Sequence, residues 1–181
     1  FHLANVALHL ANVLLVFGLL RMLGFGDWPA AAGAALFGVH PAQVEPVAWV
    51  TGLKDVLAGF FSLLALYQYL AYARARHKGR SAPRRRYAFG LVFFALAVLS
   101  KQTVVVLPLI AFALEVGVLR GPWRASAWAL AGWLPVAAAG AVVASWTDPG
   151  PAATDLVPWW QRPFVVGDAL AFYLGKLVAP V

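Results

Sequence analysis

An all-α, polytopic transmembrane helix bundle is the fold class this sequence predicts, and three observations predict it. Hydrophobic residues make up 62% of the 181 and charged residues only 12%, with a mean hydropathy of +0.78, far above the usual composition of soluble domains. Apolar runs approaching the ~20 residues that cross a bilayer recur along the chain. Basic residues gather on alternate connections, as cytoplasmic loops require. Together these predict about six complete helices and a truncated seventh, in one domain covering residues 1–181 of a longer polypeptide.

The first helix is expected from Phe1 to Leu23. It opens FHLANVALHLAN, in which the phrase HLANVAL is almost repeated. A heptad advances nearly two helical turns, so His2, Asn5, His9 and Asn12 form one polar stripe on an apolar rod. The turn Gly24 to Pro29 leads to a short second helix, Ala30 to Val39, ended by His40-Pro41 because proline disfavours a helical residue before it. A third is expected from Asp55 to about Ala73, emptying into the basic run at residues 74 to 86. The fourth runs from Tyr87 to Leu99, the fifth from Val104 to Leu119, and the sixth lies within Ala125 to Trp146. A proline-rich connection precedes the seventh.

Arg21, the run Arg74 to Arg86, and Arg120 with Arg124 fall on every second connection, which orients those connections to the cytoplasm. The net charge of +7 therefore reads as topogenic and needs no nucleic-acid partner. With no cysteine in the sequence, disulfides and thiolate metal sites are excluded. Phosphate-binding glycine loops, nucleophile elbows and HExxH motifs are absent, so soluble kinase or hydrolase chemistry has no support.

The charges on the opposite side carry the functional reading. Because the second and fourth helices are short, HPAQVE and SKQT are expected below the outer membrane surface, forming a polar cleft. Ionisable groups near the bilayer are costly and mark function by default. His40, Glu45, Lys54 and Asp55 cluster around the His-Pro break, against the alternative that Glu45 pairs with Lys54 while Asp55 caps its helix. Lys101 suits a lipid phosphate, against the alternative of snorkelling. His2, Asn5 and His9 would face this cleft, with Asn12 as interhelical glue. Haem or metal ligation by the histidines is the minor reading. Asp55 and Glu45 are the hard-oxygen ligands a divalent cation would use. Glu115, Asp168 and Lys176 read as boundary charges.

FHLANVALHLAN, ALFGVHPAQVEPVAWVTGLKDVLAGFF and LSKQTVVVLPL, in that order and spacing, resemble the membrane domain of the transmembrane-and-tetratricopeptide-repeat O-mannosyltransferases and their bacterial relatives, within the GT-C glycosyltransferase class. WWQRPFVVGDALAFYLGKLVAP is similar to a bacterial version of the same region. The resemblance implies a multi-pass enzyme of a bacterial inner membrane, its site facing the extracytoplasmic side. It would move a sugar from a polyprenyl-phosphate carrier to a protein or glycan acceptor. It implies that Asp55 and Glu45 are catalytic carboxylates of the site, and that Lys101, Lys54, His40, His2, Asn5 and His9 bind the substrate or its lipid phosphate. It also places a catalytic carboxylate in a loop that would precede Phe1, together with a missing first helix and a repeat tail. The fragment alone is therefore expected to be inactive. Two other function classes fit the same cleft: a transporter or flippase for a lipid-linked sugar, and an inactive membrane scaffold. Broken helices favour the transporter, while the lack of an inverted sequence repeat disfavours it.

Overall fold

The structure, a computed structural model, describes residues 2–49, 52–79, 83–147, 158 and 160–178. Among these residues every regular element is helical: α1 (His2–Met22), α2 (Asp27–Val39), α3 (Val44–Ala48), α4 (Leu53–His77), α5 (Arg84–Ser100), α6 (Leu107–Ala113), α7 (Trp123–Ala131), α8 (Leu134–Thr147) and α9 (Arg162–Val178). The all-α bundle expected from the sequence is the fold observed.

Among the described residues two helices, α1 and α4, are long and apolar enough to cross a membrane, and α7 with α8 makes a third if the bent pair counts as one span. Large apolar side chains point outward along them and their neighbours: Leu3 is 87% exposed, Leu14 71% and Leu99 82%. Such a surface suits hydrocarbon rather than water. Trp28, Trp49, Trp128 and Trp146 are all exposed.

Helices α2 and α5 each begin three residues before their sequence-based bounds, α3 was not expected, and three further departures involve packing. The helix expected to end at Ala73 continues to His77, because Arg74 donates to the Met22 carbonyl and Arg76 to that of Ala125, anchoring the extra turn. The expected sixth helix is the bent pair α7 and α8, which meet at 54°. At the bend a Cβ on Gly132 would fall 2.3 Å from Tyr87 Oη, and Tyr87 donates to the Ala129 carbonyl at 2.8 Å, holding the break against α5. The expected fifth helix is a composite: a 3₁₀ turn, Gln102–Val106, then α6, then a π-helical turn, Leu114–Val118.

The core lies between α4, α5 and the α7–α8 bend. Trp133 is fully buried, stacked on Phe94 at 4.9 Å and met edge-on by Tyr69 at 5.5 Å. Aromatic pairs in these geometries contribute ~0.5–1.5 kcal/mol each beyond the area they bury. This packing sets α4 and α5 side by side and antiparallel, which brings the start of α4 to the end of α5. The site lies there.

Candidate functional site

Helix α4 starts at Asp55's end because Gly52 supplies the N-cap position, with no side-chain cap. Asp55 sits in the first turn, where its charge complements the helix dipole. Its carboxylate does not cap the helix. It forms an ion pair with Lys101, whose ammonium faces Asp55 Oδ1. Lys101 is the single extended residue, with φ −154° and ψ 122°, between α5 and the 3₁₀ turn that follows. The two readings left open for these residues, cap and snorkel, are thus replaced by one contact between them.

Around the pair opens a cavity of about 450 Å³ lined by Ala42, Pro46, Trp49, Gly52, Lys54, Asp55 and Lys101. Lys54 is exposed, Asp55 half-buried and Lys101 exposed, so two ammonium groups and one carboxylate meet a space open to solutes. Gly52 is required by proximity: a Cβ there would fall 2.1 Å from the Pro46 carbonyl oxygen.

The polar stripe of α1 builds this wall from behind. Asn5, 1% exposed, donates to the Trp49 carbonyl at 3.0 Å. His9 Nε2 lies 2.9 Å from the Gly38 carbonyl, the ring N–H donating. Asn12 donates to the Val56 carbonyl at 3.1 Å. One helix face therefore pins the ends of α2 and α3 and the start of α4, the segments that carry the His-Pro break and Asp55. None of the three lines the larger cavity. His9 instead borders a separate space of about 180 Å³ with His40 and Gln43.

His40 is extended at ψ 131°, as expected before Pro41, and its Nδ1 accepts from the Ala42 amide at 3.1 Å. His2 is exposed at the free end of α1. Glu45 lies on α3, but its side chain falls outside the described residues, as do Asp148, Asp155 and the side chains of Arg162 and Lys176. Among the described residues there is no group of three potential metal ligands, and Asp55 faces the Lys101 ammonium.

Glu115 corrects the boundary-charge reading. It is 0% exposed and accepts from Tyr69 Oη on Oε2, and from Arg76 and His77 Nε2 on Oε1, the last at 2.9 Å. A carboxylate in the last turn of an apolar helix opposes the helix dipole and needs a cation. That signal, with Arg76 and His77 ending the neighbouring helix, was present in the sequence.

Fold and cavity together define a class: an all-helical bundle of membrane character with a polar, lysine-rich cavity at one end. Comparison with known proteins finds curated relatives similar to part of this chain. Protein O-mannosyl-transferase Tmtc2 of Drosophila melanogaster is 37% identical over 107 residues, which are 58% of this chain and 11% of the relative. The human TMTC2 enzyme of the same name is 39% identical over 77 residues, covering 42% and 9%, and Tmtc1 of Drosophila melanogaster 42% over 74 residues, covering 41% and 8%. The relatives are protein O-mannosyl-transferases by name, the family the motifs resemble. The matched stretch spans about a tenth of their length. No family model matches the chain, and no solved structure does.

Proposed function

We propose that this chain is the membrane-embedded part of a GT-C-type glycosyltransferase. It moves a sugar from a polyprenyl-phosphate carrier to a hydroxyl of a protein or glycan, on the extracytoplasmic side of a bacterial inner membrane. The similarity to O-mannosyl-transferases supports the reaction class. The observation that carries the assignment of the site is the Asp55–Lys101 ion pair on the rim of a cavity that also holds Lys54.

In the proposed reaction the bond from the sugar's anomeric carbon to the phosphate oxygen breaks, and a bond to the acceptor oxygen forms. The phosphate departs with extra negative charge. Lys101 and Lys54 supply fixed positive charge where that charge develops, an effect of ~10²–10³ in rate for one well-placed donor. Asp55 holds Lys101 in place, acting as a positioning residue. The acceptor's proton passes to a carboxylate: Glu45, beside the cavity-lining Pro46, or the one the resemblance places ahead of Phe1.

Membranes holding the full-length protein, supplied with a radiolabelled polyprenyl-phosphate sugar, test this. Label should pass to endogenous protein or glycan, and Lys101→Ala should reduce transfer ~10²-fold at unchanged expression. Undiminished transfer would remove Lys101 from the site. Movement of the labelled lipid across the bilayer without transfer would favour the transporter.

A further inference from the structure

The arginines that open α5 stand in an unusual electrostatic position. Arg84, Arg85 and Arg86 occupy the first turn of the helix, where the backbone already presents positive charge, with no acidic residue in that turn and no side-chain cap. Carboxylates at this end of the bundle are spent elsewhere: Glu115 on Arg76 and His77, Asp27 on Arg21. Among the described residues, neither Arg85 nor Arg86 has an acidic partner.

Beside them is a cleft of about 210 Å³ lined by Gln68, Arg85, Arg86 and Phe89. Gln68 is a neutral amide inside the apolar run of α4, about 14 Å from the helix's C-terminal end at 1.5 Å per residue. Phe89 is 53% exposed. The lining thus offers two guanidinium forks, an amide and an aromatic ring facing the lipid side. Guanidinium forks match phosphate oxygens bidentately. Basic pockets between transmembrane helices on the cytoplasmic side are suited to anionic head groups.

We propose that the cleft between α4 and α5 binds the phosphate head group of an anionic phospholipid through Arg85, Arg86 and Gln68, with Phe89 against the acyl chains. The inference rests on the membrane setting of the bundle and not on sugar transfer. Asp55, in the first turn of α4, belongs to the other end of the helix, about 20 Å from Gln68 at the same rise.

The test is native mass spectrometry of the full-length protein, released from micelles containing equal phosphatidylglycerol and phosphatidylcholine. Wild type is expected to retain phosphatidylglycerol preferentially. The Arg85→Gln/Arg86→Gln variant should lose that preference about 5- to 25-fold, on the basis of roughly fivefold per basic residue near an anionic surface. Gln68→Leu, which alters no charge, should weaken it as well. Arg84→Gln removes a neighbouring charge outside the cleft and should reduce the preference clearly less than Arg85→Gln does. Equal losses from Arg84→Gln and Arg85→Gln would show diffuse surface charge and overturn the site, as would an absence of preference in wild type. Displacement of the lipid by millimolar inorganic phosphate would make a free anion the ligand and overturn the lipid assignment.

Discussion

Asp55 and Lys101, contributed by the first turn of α4 and the extended residue after α5, face each other as an ion pair on the cavity rim. Neither helix alone defines the site; it exists because α4 and α5 pack antiparallel. The charge-swapped variant Asp55→Lys/Lys101→Asp should keep the pair and the protein's thermal stability in detergent while leaving sugar transfer ~10²-fold low, since the positive charge has moved. Restored transfer in the swap would mean that the pair is structural and that chemistry lies elsewhere.

Gly52→Ala should be costly despite its small size. The added methyl would fall 2.1 Å from the Pro46 carbonyl oxygen, which belongs to backbone and cannot rotate aside. Overpacking of this kind costs ~1–3 kcal/mol, and the displaced α3 would carry Trp49 and Pro46 with it. A lowered thermal midpoint together with lost transfer is expected. A variant as stable and active as wild type would show that α3 shifts freely.

Glu115→Ala should destabilise the bundle more than any change at the cavity. It would leave Arg76, 24% exposed, without its carboxylate, and Tyr69 without its acceptor. Removing one partner of a buried pair costs ~3–5 kcal/mol, and Arg76's residual exposure argues for the lower part of that range. Chemical denaturation in detergent measures the loss. Unchanged stability would mean that water reaches the cluster and replaces the carboxylate.

Asn5→Leu separates positioning from stability. Interhelical hydrogen bonds in membranes average ~0.6 kcal/mol, so the stability change should be small. Transfer should fall further than stability suggests, because the Trp49 carbonyl that Asn5 holds belongs to the cavity wall. Equal, small changes in both would reduce Asn5 to interhelical glue.

Much of this was legible in the residues. Helix order, the break at His40-Pro41 and the polar stripe of α1 follow from periodicity, proline sterics and composition, all local. The Asp55–Lys101 contact was not legible, because each residue had a sufficient local explanation and only tertiary packing brings the two together. Glu115 was half legible: its place near the end of an apolar run looked like an interface, while the basic end of α4 pointed to the partners that hold it in the core. The bend at Gly132 was legible in Gly132 and Pro135: a proline removes the hydrogen bond to the carbonyl four residues before it, that of Ala131, where α7 ends, and Tyr87 on α5 packs against the break.

The stripe on α1 bears on what related sequences will preserve. Asn5, His9 and Asn12 donate to main-chain carbonyls, and every residue at positions 49, 38 and 56 brings that carbonyl with it. Substitution can therefore abolish each bond from one side only. Across an alignment, α1 should hold these identities while its partners drift, so methods that infer contacts from correlated substitutions should overlook three bonds that fix the cavity wall.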